Sequence, residues 1–165
     1  MFLHFAGTIR NVLERAETSA RGSAQLAHIA FAGAITGIVG IRMAIVMIGA
    51  ATYVGADAEP LVSRAVSTAS AGPYLVAAMG FATMLGASGL LTMQTGVFAR
   101  WTGMVALIGA VAFLITFLTL LEGTGEDSLP GYGFLPGILA LVVWSTAISA
   151  ARYRAVTSPA TPNSG

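Results

Sequence analysis

The sequence predicts an all-α integral membrane protein: a bundle of four transmembrane helices preceded by an interfacial amphipathic helix. Three observations predict it. Of 165 residues, 56% are hydrophobic and only 9% are charged, whereas a soluble domain carries about 25% charged residues to solvate its surface. The mean hydropathy is +0.81. Uncharged apolar stretches recur at or above the roughly 20 residues that a helix needs to cross a hydrocarbon layer. They lack the period-two alternation of membrane strands. Helix is then the form in which each stretch pairs its own backbone groups away from water.

Residues 1–21 come first. MFLHFAGTIRNVLERAE places Phe2, Phe5, Ile9, Val12, Leu13 and Ala16 on one helical face. Arg10, Asn11, Glu14, Arg15 and Glu17 fall mainly opposite. That pattern fits a helix lying at the inner membrane surface, or the cytoplasmic end of a spanning helix upstream of this chain. It lacks the charged start, apolar core and cleavage site of a signal peptide.

Residues 22–154 hold the transmembrane domain. The first span covers about 24–54 and is interrupted by Arg42; its length leaves room for tilt. The second covers about 73–99, the third 102–121 and the fourth 134–151. Between the first two, EPLVSRAVSTASAGP (59–73) reads as a short helix with Pro60 at its first position. Leu61, Val62, Ala65, Val66 and Ala69 form its apolar face. EGTGEDSLPGYG (122–133) reads as a glycine-rich acidic turn. The tail, 155–165, is polar and is expected to be disordered.

Charge sets the expected orientation. Arg10, Arg15 and Arg21 precede the first span, Arg100 separates the second from the third, and Arg152 and Arg154 follow the fourth. Asp57, Glu59, Arg64, Glu122, Glu126 and Asp127 occupy the alternate loops. The positive-inside rule places both termini in the cytoplasm. Tyr53, Tyr74 and Tyr132 then form an outer aromatic belt, with Trp101 and Tyr153 at the inner interface. All eight basic residues are arginine, the usage of a GC-rich bacterial genome, so the expected location is the bacterial cytoplasmic membrane.

FARWTGMVALIGAVAFLITFL (98–118), the final helix ending in SAARYR (149–154), and AGPYLVAAMGFATMLGASGLLTMQTG (71–96) carry a resemblance. They resemble small multi-pass actinobacterial membrane proteins grouped with the DUF4386 family. The resemblance covers about the last two-thirds of the chain. Its motif, an aromatic-flanked basic turn with glycine two residues after the tryptophan, mostly encodes a cytoplasmic turn. It implies a helical membrane protein without assigned activity, and a further N-terminal helix ending in a stretch like TIRNVLERAE. No functional residue carries over from it.

The chemistry available is sparse. The chain has no cysteine, so disulfides, thiolate metal sites and thiol nucleophiles are absent. No HExxH, paired-carboxylate or nucleophile-elbow pattern is present. His4 and His28 are the only histidines, too few for a metal site that needs three or four ligands. A net charge of +1 gives no support to nucleic-acid binding. The sequence therefore predicts no enzyme, no cofactor and no resident metal. Gln94 with Thr92 and Thr95 forms a polar patch that either lines a vestibule or bridges helices.

Two features remain as candidate sites. Arg42 is an intramembrane charge with no acidic residue inside any span, costing about 2.5–3.5 kcal/mol at a bilayer centre. It is expected to snorkel or to find internal acceptors such as Ser88, Ser145 or Thr146, to meet a partner protein or lipid, or to meet an anion. The second feature is a small-residue surface. Gly33 and Gly37 form a GxxxG pair that Gly40 extends, and Ala82, Gly86 and Gly89 on the second span offer a matching face. Such surfaces let helix backbones approach closely, within one chain or between chains. Arg42 is expected at the edge of that contact. The function expected is a non-enzymatic accessory or scaffold subunit acting by helix–helix association. Its partners would be the lipid bilayer and a membrane protein or further copies of itself. The alternative is a small oligomeric transporter or channel in which Arg42 meets an anion.

Overall fold

The structure, a computed structural model, describes residues 2–54, 60–121 and 134–157. Secondary structure in these residues is entirely helical: α1 (Phe2–Arg21), α2 (Gln25–Val54), α3 (Pro60–Thr95), α4 (Arg100–Leu121) and α5 (Phe134–Thr157). Stretches of α2 to α5 are long and apolar enough to cross a membrane: Gln25–Ala50, Ala71–Thr95, Arg100–Thr119 and Phe134–Arg154. The protein is an all-α, multi-pass membrane bundle. Asp57 and Glu59, the acidic turn with Glu122, Glu126, Asp127 and Tyr132, and the tail from Ser158 lie outside the described residues.

Two boundaries differ from the sequence reading. The segment after Pro60 is not a separate short helix; it is the first part of α3, which runs without a break through Pro73. Proline removes one backbone donor, a loss that neighbouring helices make tolerable in membrane helices. The last helix also continues past Ala151 to Thr157, taking the start of the expected tail with it.

The order of packing follows the order of the chain. α2 packs on α3, α3 on α4 and α4 on α5, while α1 lies across α2 and reaches α3. α3 is the most enclosed of the spans and α5 the least. Neighbouring spans run antiparallel, as the pairings along each seam show. Gly33 faces Gly80 and Met84, and Gly40 faces Ala77 and Pro73. Gly89 faces Gly103 and Leu107. Gly109 faces Ala140, and Gly137 faces Phe113. The turn after α1 and the turn after α3 each pass through a left-handed glycine, Gly22 (φ 73°) and Gly96 (φ 64°). Their N–H groups bond back to Thr18 O at 2.9 Å and Thr92 O at 3.0 Å, the usual way a helix end meets its last carbonyls.

This register brings Arg21, Arg100, Arg152 and Arg154 to one end of the bundle, called here the basic end. At the other end the helices stop at different levels. α4 has 22 residues, α2 has 30 and α3 has 36, or about 33, 45 and 54 Å at 1.5 Å per residue. Tyr74 meets the ring of Phe134, the first residue of α5, at 5.7 Å. The parts of α2 and α3 beyond that level, which include Met43–Val54 and Pro60–Gly72, therefore overhang α4 and α5 as an antiparallel hairpin.

Candidate functional site

The seam between α2 and α3 is backbone against backbone. A Cβ on Gly33 would lie 2.6 Å from Met84 N, and one on Gly40 would lie 2.5 Å from Ala77 N. Gly37 holds the Phe81 ring, with a Cβ there 2.7 Å from Phe81 Cδ1. The α3 partners are thus Ala77, Gly80, Phe81 and Met84. They are not the expected Ala82, Gly86 and Gly89 face. Gly89 turns toward α4, where a Cβ would meet Leu107 Cγ at 2.9 Å. Gly86 also faces α4, with only Ala110 Cβ near it, at 3.8 Å. The reason is angular. Gly80 lies about 180° round α3 from Gly89, at 100° per residue, so one α3 face cannot serve both neighbours. The run of small residues at Ala77, Ala78 and Gly80 was the available signal for the correct face.

Arg42 follows Gly40 by two residues, about 200° round α2. It therefore stands on the side opposite the glycine seam, and not at its edge. It is exposed in a stripe of exposed apolar side chains, Ile35, Val39, Ile45 and Val46. Extending the seam register places it level with Pro73 and Tyr74, near the end of α4 and the start of α5. The proposed internal acceptors are elsewhere. Ser145 Oγ donates to Val142 O at 3.0 Å. Ser88 is buried toward the basic end, and its Oγ has no hydrogen-bond partner. Among the described residues Arg42 has neither a hydrogen bond nor an ion pair. An arginine at the outer rim of a span can reach the interface along its own stem, the snorkelling geometry.

Beyond Arg42 the hairpin shows apolar surface. Met43, Ile45, Val46 (70% exposed), Ile48 and Tyr53 (92% exposed) all stand clear of the bundle. Val62 is exposed on the α3 arm.

At the basic end the arrangement is different. Ala6, Ile9 and Leu13 of α1 are buried, with Phe5, Val12 and Ala16 half-buried, so the expected apolar face from Phe5 onward packs on the bundle; the side chain of Phe2 lies outside the described residues. Glu17 does not fall opposite that face. It is 1% exposed, and its carboxylate accepts from Leu26 N at 3.0 Å and Ala27 N at 2.9 Å. These are orphan donors in the first turn of α2, so Glu17 caps α2 from another helix, where a negative charge also suits the helix dipole. Sequence reading missed this because a cap is sought among residues adjacent to the helix, and Glu17 is eight residues before Gln25.

Nearby, Arg10 lies over the Phe31 ring at 5.2 Å, pairs with Glu14 at 3.6 Å and reaches His28 Nε2 at 3.1 Å. His28 is therefore part of the α1–α2 junction. The hydroxyls of Thr92 and Thr95 donate to Ser88 O and Leu91 O, both at 2.8 Å. They satisfy their own helix and do not bridge to another. Trp144, which the sequence reading did not single out, is 1% exposed and lines a small cavity with α1, α2 and α3 residues. Among the described residues no group of three or more His, Asp or Glu side chains is placed to hold a metal ion.

No protein-family model, curated protein or solved structure matches the chain. The site's own geometry is therefore what any functional reading rests on.

Proposed function

We propose that the protein is a non-enzymatic accessory or scaffold subunit of a membrane assembly, acting by helix–helix association. One observation carries this reading: the overhang of the α2–α3 hairpin. α4 is uncharged from Trp101 to Leu121, which is enough to cross a hydrocarbon layer of about 30 Å. If α4 measures that layer, Met43–Val54 stands beyond it with large apolar side chains uncovered. Contiguous apolar surface outside lipid marks an interaction site. Arg42 lies at the root of the hairpin, and its charge is complementary to a carboxylate. The partner is thus a membrane protein presenting an apolar helix face and an acidic group at the lipid boundary. The arginines of the basic end support an orientation with both termini in the cytoplasm, and the hairpin on the opposite side.

The test is native mass spectrometry of the full chain extracted from its source membrane in mild detergent. A defined heteromeric mass is expected. An Ile45→Ser/Val46→Ser variant and an Arg42→Leu variant should lose the partner while remaining folded. A monomeric mass, a mass corresponding only to copies of this chain, or retention of the partner by both variants overturns the proposal.

A further inference from the structure

A second surface lies at the opposite end of the molecule and is independent of whatever the hairpin binds. α1 and α5 face one another there across an open cavity of about 170 Å³, lined by Thr8, Asn11, Val12 and Arg15 of α1 and by Arg152 of α5. Two arginines from different helices border it, and none of its lining residues is acidic. The acids of α1 are engaged elsewhere, Glu14 with Arg10 and Glu17 with the first turn of α2. Arg15 and Arg152 have no hydrogen bond or ion pair among the described residues, and Arg152 Nη1 is buried without a hydrogen-bond partner.

Such an arrangement is unfavourable as it stands. Two guanidinium groups bordering one cavity repel each other, and a buried charged donor without an acceptor loses its solvation uncompensated. An anion reverses both effects. The guanidinium fork matches the oxygen spacing of a phosphate and can bind it through two parallel hydrogen bonds. The Asn11 amide can add a donor, while the hydroxyl hydrogen of Thr8 is already committed to His4 O at 2.8 Å.

We propose that Arg15, Arg152 and Asn11 form a binding site for a phosphate group. The same chemistry is offered by the headgroup of an anionic phospholipid and by soluble phosphate. Basic pockets between helices at one face of a membrane bundle suit headgroups. Because α1 packs mainly on α2 and α3, a phosphate held by Arg15 and Arg152 also ties α1 to α5.

The experiment uses the full chain in neutral detergent, with thermal unfolding and native mass spectrometry as readouts. Three probes are added separately: inorganic phosphate, phosphatidylglycerol, and a diacylglycerol with the same chains and no phosphate. Phosphatidylglycerol should be retained and should raise the unfolding temperature, whereas diacylglycerol should do neither. A rise with inorganic phosphate as well assigns the site to phosphate itself. A rise with phosphatidylglycerol alone assigns it to a headgroup. Arg15→Gln and Arg152→Gln should each weaken the effect about tenfold, the scale of one charge-assisted hydrogen bond. Arg21→Gln, at an exposed arginine outside the cavity, should leave it unchanged. If either glutamine variant does not fold, the Arg15→Lys/Arg152→Lys pair keeps both charges without the fork and should still bind more weakly than wild type. No response to either phosphate probe, or a response unaltered in these variants, overturns the proposal.

Discussion

The two halves of α2 meet opposite environments. From Gln25 to Gly40 the helix has α3 on one side and α1 across it, and its first turn is capped by Glu17. From Ile41 to Val54 its outer face carries Arg42, Ile45, Val46 and Tyr53 in the open. Both halves are equally apolar to the eye. The difference shows that hydrophobicity along a membrane helix does not say which part is finished by its own chain. The covered half is fixed by the approach of Gly33, Gly37 and Gly40 to α3 and by polar detail, a carboxylate on two N–H groups and an arginine on a histidine. The open half has no such contact among the described residues: a Cβ on Gly49 would meet nothing within 4 Å.

The comparison can be broken most severely at the glycine seam, whose last contact, Gly40, stands where the covered half meets the open one. Gly40→Ala forces a methyl group against Ala77 N and Pro73 O, backbone atoms that cannot rotate away. A loss of about 1–3 kcal/mol, the usual range for overpacking, is expected, and thermal unfolding in detergent would register it. A variant as stable as wild type would mean that α2 and α3 are not in this register.

The covered half alone is addressed through Glu17. Glu17→Ala should cost about 1–2 kcal/mol, as loss of a helix cap does. Hydrogen exchange should show faster opening of α1 and of the first turn of α2, with Met43–Val54 unaffected. Glu17→Gln keeps an acceptor oxygen without the charge and should cost less. Equal losses for the two variants would argue that the cap depends wholly on the charge, and no loss for Glu17→Gln that the charge contributes nothing.

A third substitution separates glycines that the sequence makes look alike. Gly86→Ala meets only Ala110 Cβ at an ordinary contact distance, so the helix gains roughly 0.5–1 kcal/mol from replacing glycine. A clear destabilisation, read from the same melts, would show that α4 sits closer to α3 than this 3.8 Å contact allows. The smallest effect on stability belongs to the open half. Arg42→Leu should change unfolding by no more than about 0.5 kcal/mol, as for a surface residue without partners, even as it removes the partner in co-purification. A large loss of stability would reveal an intramolecular acceptor for Arg42.

Much of the fold was legible because crossing a membrane is a one-dimensional constraint. Length and lack of charge located all four spans, and the absence of carboxylates within them already left Arg42 without an ion-pair partner. The site was less legible. Gly33, Gly37 and Gly40 could be read as a packing face, since their spacing repeats on one side of a helix. Their counterpart could not, because with 20 glycines in the chain several faces of the second span are equally small. In the sequence Glu17 falls with the polar side of α1, because a charged residue beside Leu13 and Ala16 reads as solvated until its acceptor role is known. Trp144 and Arg152 gave no signal that either would line a cavity with α1.

The sequence by itself determined that this chain is helical, where it can span a bilayer, and that its charges other than Arg42 gather at the ends of spans. These properties depend on each segment's own composition, and the cost of an unpaired backbone in lipid enforces them locally. Only the tertiary structure decided the rest. It set the α2–α3 register, carried Arg42 round to the open face, let α2 and α3 overrun α4, and brought Arg15 and Arg152 to the border of one cavity. Those outcomes depend on where two helices first touch. That is fixed by backbone atoms approaching within a few ångströms across segments far apart in sequence, and no single segment encodes it.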